Sequence, residues 1–308
     1  MKNERVEDLR ISKEVSIKEQ IEQFGKAGGF TAKKAAIASG ILGEMFEGNC
    51  FRMLSFPAAI ISTGTRGLIK EMVKRKLFDM VMTTCGTLDH DFARLHEDYL
   101  HGSFEADDAG LHKKGINRLG NIFIPNKSYG EVIEKELKPI LNDIYSSGKR
   151  ELATYELVWE IGKRLKGNRE ESIIWWCAKN QIPVIIPGIT DGAFGLQLVI
   201  FMQDHPDFRV DVFKDEKYLI EMMFGLKKSG ALMIGGGISK HHVIWWSQFS
   251  GGLDYAVYIT TAPEWDGSLS GARTGEAISW GKVNEKAKHI TVEGDATVLL
   301  PLIVGPHL

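Results

Sequence analysis

The run Ala231-Leu232-Met233-Ile234-Gly235-Gly236-Gly237 decides how the chain is read. Four consecutive apolar residues suit a strand buried on both faces, and the glycines behind them suit a sharp backbone turn. The next segment, Lys240 to Phe249, has a helical pattern. Strand, turn and helix in that order are the start of a βαβ unit, and free amides at such a helix start favour a phosphate. The glycines are not a GxGxxG fingerprint and no GK[ST] follows, so the pattern leaves a phosphate or dinucleotide site and a plain tight turn both open.

The same alternation extends outward in both directions. Downstream come a strand at Tyr255–Thr260, a helix at Thr274–Lys282, and a strand plus helix from His289 to Val304. Upstream, strands are expected at Phe51–Phe56, Met80–Thr84, Gly120–Pro125, Pro183–Pro187 and Phe208–Phe213. Helices are expected after an N-cap at Thr31 and over Thr65–Leu77, Tyr129–Tyr145, Thr154–Leu165, Glu171–Asn180, Ala193–Gln203 and Asp215–Lys228. Short apolar strands alternating with helices predict an α/β fold: a doubly wound, mainly parallel, Rossmann-like sheet flanked by helices. Residues 1–28, with an amphipathic piece at Ile17–Phe24 and the pair Gly28-Gly29, read as an N-terminal helical arm on a glycine hinge. Residues 29–308 read as one α/β domain.

Composition narrows the partners. The 308 residues are 44% hydrophobic and 25% charged with a formal net charge of −2, which gives no support to nucleic-acid or anionic-membrane binding. No apolar run approaches the ~20 residues that span a bilayer. The N-terminus lacks the apolar core of a signal peptide. Cys50, Cys85 and Cys177 are widely spaced, so neither a disulfide framework nor a zinc site is expected, and a reducing cytoplasm is the default expectation.

Open parallel sheets bind ligands beyond the carboxyl ends of their strands. Four predicted strand ends carry small residues: Thr83-Thr84-Cys85-Gly86-Thr87-Leu88-Asp89, Gly188-Ile189-Thr190-Asp191-Gly192, the glycine run, and Thr260-Thr261 before Glu264 and Asp266. Asp191 could accept ribose hydroxyls or cap the helix behind it. Of Lys240-His241-His242, adjacent histidines point apart on a helix and no third ligand accompanies them, so a proton carrier fits better than a metal site. Trp280-Gly281-Lys282 is the sharpest chemical feature. A lysine is nucleophilic only when neutral, and apolar surface favours that form; most lysines ending a helix are solvated instead. Glu276, four residues before Trp280, would share its helix face and complete a clamp for an ammonium group, or be solvated. In Trp175-Trp176 and Trp245-Trp246, one ring of each pair is expected in the core.

These motifs meet in one family. Gly-Gly-Gly-x-x-Lys-His-His from Gly235, Asp-Tyr-Ala-Val-Tyr-Ile from Asp254, Asp-Gly-Ser-x-Ser-Gly-Ala-Arg from Asp266, Ser-Trp-Gly-Lys from Ser279 and Asp295-Ala296 strongly resemble deoxyhypusine synthase. The likeness continues upstream through Asp191-Gly192, Gly115 to Asn121, Thr83-Thr84 and Ser62-Thr63-Gly64. It implies an NAD-dependent transferase. Such an enzyme oxidises spermidine, carries its four-carbon aminobutyl part as an imine on a lysine, and passes it to a lysine of the precursor of translation initiation factor 5A. By motif match Lys282 is the imine-forming lysine and His241 lies beside the oxidised carbon. Tyr258, Glu276 and Trp280 match substrate positions, with Asp89 a further candidate. Ser62, Thr84, Gly86, Asp191, Gly235, Gly236, Gly237, Thr261, Ala262, Asp266, Asp295 and Ala296 fall on or beside the NAD positions. The resemblance also implies a homotetramer with sites at subunit interfaces and an arm able to lie over a partner's site.

The chain departs from the better-known eukaryotic pattern. Leu196 and Leu269 stand where aspartates grip the polyamine, Trp245 replaces an asparagine, His90 replaces a glutamate, and Ala58-Ala59 replace a polar pair beside the cofactor. Each lost charge-assisted contact is worth about 1.5–3 kcal/mol. The amine is therefore anchored differently, through Asp89, Glu264, Glu276 and the tryptophans, or it is another amine. The alternatives are a homospermidine-synthase-like enzyme with a free polyamine acceptor and an inactive NAD-binding subunit; retention of Lys282 and His241 argues against the latter.

Overall fold

A computed structural model describes residues 4–308, which divide into two compact units. The first comprises the chain up to Phe56 together with Leu219–Leu308, the second Pro57–Tyr218. The first opens with α1 (Ile17–Ala27), α2 (Phe30–Glu47) and β1 (Phe51–Ser55). Ser16 and Glu19 form a reciprocal capping box at the start of α1, and Gly28, at φ 71°, ends it. Helix α1 packs on α2 and buries Ile21. Of the expected arm, residues 1–3 lie outside the described residues. Gly29, rather than Thr31, is the N-cap of α2; the Thr31 hydroxyl donates to the Glu293 carbonyl.

The second unit runs α3 (Thr65–Lys74), β2 (Met80–Met82), α4 (Cys85–Ala93), β3 (Leu100–His101), α5 (Asp108–Lys113), β4 (Ile116–Leu119) and β5 (Ile122–Pro125). It continues with α6 (Gly130–Ser146), β6 (Glu151–Leu152), α7 (Thr154–Arg164), α8 (Ile173–Asn180), β7 (Val184–Ile185), α9 (Ala193–Asp204) and β8 (Arg209–Val210). Strands β2 and β7 pair in parallel, β3, β5 and β4 form an antiparallel trio, and β6 pairs with β8. After α10 (Val212–Met223), the first unit resumes with β9 (Ser229–Ile234), α11 (Ile238–Ser247), β10 (Leu253–Thr260), β11 (Val283–Glu293) and α12 (Ala296–Val304).

In the first unit the strand order is β11-β10-β9-β1, all parallel, with Ile234 beside Ile259 and Thr260 beside Glu293. Helix α2 lies against β10 and β11, and α11 against β1 and β9. Sandwiched strands have no wet face, which is why all six residues of β9 are buried and its core run is continuously apolar. The fold is thus α/β with mainly parallel strands flanked by helices. No helix among the described residues is long and apolar enough to cross a membrane.

Two expectations fail where charge patterns mislead. The helix expected over Thr274–Lys282 is only a single 3-10 turn, Glu276–Ile278. Thr274 is committed elsewhere, its N–H to the Thr291 hydroxyl, and Gly281, at φ 67°, ends the turn so that Lys282 N–H bonds the Ala277 carbonyl. Glu276 and Trp280 therefore share no helix face. Strand β11 begins at Val283 rather than His289. Its polar start, Asn284–Lys288, sits at an edge where charge is normal, and a register shift follows Leu253. The segment after β2, for which the sequence suggested no element, winds directly into α4.

Candidate active site

Parallel register brings the carboxyl ends of β9, β10 and β11 to one edge. Gly235 N–H bonds the Ile259 carbonyl at 2.8 Å and Gly294 N–H the Thr260 carbonyl at 2.9 Å. The glycine run, Thr261-Ala262 and Asp295-Ala296 are brought together there. Gly235 and Gly237 have φ of 64° and 78°, conformations that disfavour any side chain. Gly236 needs to be glycine for another reason: a methyl there would lie 2.1 Å from Ser270 Oγ. Beside Gly237 there is open space, and the buried Ser239 hydroxyl in the first turn of α11 has no partner among the described residues. The first amides of a helix lack intrahelical acceptors, so this corner fits an anionic group such as a dinucleotide phosphate. Asp295 caps α12, accepting from Thr297 N–H at 2.8 Å, and Asp266 accepts from Ser268 N–H at 2.7 Å. Thr261 is exposed, and the Ala262 N–H donates to the Thr260 hydroxyl.

Within the same unit a cavity of ≈ 340 Å³ is lined by Lys240, His241, Trp245, Glu276, Trp280 and Lys282, with Leu269, Ala272 and Arg273 from the preceding loop. That volume suits a small ligand. Lys282 is 8% exposed, and its ammonium lies 5.1 Å from the Trp280 ring centre and 5.8 Å from that of Trp245. Among the described residues its side chain has no hydrogen-bond or ion-pair partner. His241 stacks on Trp245 at 6.0 Å; burial, then the charge of Lys282, hold its imidazole below the ordinary value. A neutral ring facing the cavity can take up a proton. His242 points into the core, where burial drives it down to about 4. Tyr258, 0% exposed, does not line the cavity: its hydroxyl donates to the Ser270 carbonyl at 2.6 Å. Trp246 is buried and Trp245 exposed, as expected for that pair, whereas Trp175 and Trp176 are both buried.

The remaining predicted residues gather in the second unit. Thr83 N–H bonds the Ile185 carbonyl, setting the end of β2 beside that of β7. The Thr84 hydroxyl accepts from Ala58 N–H at 3.2 Å, and a methyl on Gly86 would lie 2.8 Å from the Ala58 side chain. Ser62 is buried and its hydroxyl donates to the Ala59 carbonyl. Asp89 is wholly buried and accepts from Tyr129 OH at 2.7 Å, Ala193 N–H at 3.0 Å and Phe194 N–H at 2.8 Å. It is the cap of α9, a place the sequence suggested for Asp191, which is exposed. Leu196 is exposed on α9.

Sequence reasoning passed over Lys240, which lines the cavity and is 3% exposed. Its position directly before His241 carried no signal, because lysine at the start of a helix is ordinary. Only the fold over it, the 269–272 loop, makes it part of the site.

Comparison with known proteins agrees with this geometry. The deoxyhypusine synthase family model matches residues 19–306. A "Probable deoxyhypusine synthase" of Picrophilus torridus is 56% identical over 305 residues, covering 99% of this chain and 97% of the relative. One of Thermoplasma acidophilum is 53% identical, covering 98% and 97%. A solved structure from Entamoeba histolytica that bears the same family name superposes with a TM-score of 0.68 at 20% identity, over 98% of this chain and 96% of that one, a likeness of fold. With the match running through the glycine turn, the cavity and both strand-end clusters, the chain belongs to the deoxyhypusine synthase family.

Proposed function

We propose that the cavity transfers the aminobutyl part of spermidine to a lysine of the precursor of translation initiation factor 5A, with Lys282 as the imine-forming amine. The observation that carries this reading is the contrast among the cavity's cations. Lys240 is bonded to two carbonyls and Arg273 is paired with Glu264, while Lys282 is buried against two indoles with no acceptor among the described residues. A lysine amine attacks an imine carbon through its nitrogen lone pair, and an amine that no protein group among the described residues holds is the one left open to the ligand.

When bound, NAD would supply the acceptor, and at the end the donor, of the hydride on the carbon next to the secondary amine of spermidine. His241 accepts the proton that the secondary amine loses in that oxidation. Lys282 then adds to the carbon, the diamine leaves, and the four-carbon fragment stays on Lys282 as an imine. The acceptor lysine adds in turn, Lys282 departs as a free amine, and the new imine is reduced. Trp245, Trp280 and the carboxylate of Glu276 hold the fragment's ammonium end. Tyr258 acts from beneath, through the loop it bonds. Asp89 contributes as the cap that shapes the Asp191-Gly192 turn. For NAD we assign Gly235, Gly236, Gly237, Thr261, Ala262, Asp266, Asp295 and Ala296; Ser62, Thr84, Gly86 and Asp191 are assigned from the family resemblance alone. The enzyme is proposed to work as a cytoplasmic homotetramer, with residues 29–308 forming the catalytic domain.

Borohydride treatment with NAD and labelled spermidine tests this: label on Lys282 is expected, and its absence would remove the assignment. Supplying the precursor factor or putrescine separates a protein acceptor from a free one.

A further inference from the structure

Lys240 has no part in the chemistry above, yet it is among the most buried charged side chains of its unit. Its ammonium donates to the Leu269 carbonyl at 2.8 Å and the Ala272 carbonyl at 2.6 Å, and lies 3.6 Å from the Tyr258 ring centre. The carbonyl between them is tied as well: Ser270 accepts from Tyr258 OH at 2.6 Å and from Thr260 OH at 3.0 Å. Below them Ser270 rests on Gly236, leaving no space for a methyl group. Donors from α11 and β10 thus hold this loop to the floor of the site.

A methionine would be easier to bury than an ammonium, so the charge needs a reason. Burial lowers the Lys240 amine to about 7, a cost that Glu276 partly offsets and Arg273 increases. In return, two peptide carbonyls are held from a residue adjoining His241. The loop they belong to supplies Leu269, Ala272 and Arg273 to the cavity that Lys282 lines. We propose that Lys240 is a positioning residue: it fixes the 269–272 wall to the helix carrying His241 and so sets the width of the slot where the amine's carbon chain meets Lys282. This rests on the proposed transfer reaction.

The test uses Lys240→Met, similar in length but without donors, and Lys240→Arg, which keeps the charge. Two charge-assisted bonds are lost in the first, so formation of the borohydride-trapped adduct on Lys282 is expected to slow at least about tenfold. NAD affinity should stay within about twofold of the parent, and amide exchange across residues 268–272 should accelerate about tenfold or more. Lys240→Arg should recover much of both effects. If Lys240→Met does not fold, Tyr258→Phe, which frees the Ser270 carbonyl of one donor, should move both measurements the same way by a smaller factor. The proposal is overturned if Lys240→Met forms adduct within twofold of the parent, if exchange in the loop is unchanged, or if the label is found on Lys240. Should the parent enzyme form no adduct with any polyamine, the transfer reading fails, and loop exchange still decides whether Lys240 is the tie.

Discussion

Lys282, just before the amino start of β11 in one unit, and Asp89, on the helix that follows β2 in the other, are both buried ionisable side chains, and they have opposite surroundings. Asp89 is met by a tyrosine hydroxyl and two helix amides. A methyl on Gly192 would sit 2.6 Å from it, so the chain closes over it completely. Lys282 is met by two indole faces and, among the described residues, no acceptor. A buried polar group whose hydrogen bonds are all made to the chain serves the architecture; one whose bonds are not made to the chain is available to a ligand. The comparison separates architecture from chemistry more sharply than burial alone.

Replacing Lys282 by alanine should break the comparison on the chemical side. Transfer is expected to fall by at least about 10³-fold with the melting temperature nearly unchanged, since no bond to a protein acceptor is lost. Adduct trapping and calorimetry check the two halves. Asp89→Asn should do the reverse. Exchanging an acceptor oxygen for a donor amide opposite the α9 amides should cost about 3 kcal/mol of stability in urea denaturation. A raised KM for the amine at unchanged stability would instead return Asp89 to substrate binding.

Asp215 sharpens the point in the same unit. It accepts from the Thr154 and Tyr155 amides, and burial pushes its carboxyl up to about 6. Because the folded state holds this proton more tightly than the unfolded state, its contribution is greatest below pH ~4 and is lost as pH rises to about 6. The loss should be about 3 kcal/mol. Urea midpoints across that range should decline more steeply in the parent than in Asp215→Asn. The smallest effect is expected from Trp280→Ala. Removing one exposed aromatic wall should raise KM for the amine about fivefold through a lost cation–π contact, with kcat less affected. Steady-state kinetics read it directly.

Much of the architecture was legible because it follows from local rules. The continuous apolar run of β9 and its glycines locate a sandwiched strand and the turn after it. The positive-φ glycines at 28, 235 and 237 are needed by backbone geometry alone. What misled was the stretch 274–288, where helix-like spacing gave way to a 3-10 turn and a polar edge strand. There Thr274 bonds to Thr291, seventeen residues away.

The sequence by itself determined the fold class and the family, and it singled out Lys282, His241, Glu276 and Trp280, which line one cavity. Only the tertiary structure decided which charges are free. A carboxylate or ammonium has the same residue letter whether saturated or bare, and its partners here come from distant segments: Tyr129 and Ala193 for Asp89, Leu269 and Ala272 for Lys240. Hydrogen bonding is short-ranged and directional, so partner identity becomes known only when the chain has closed.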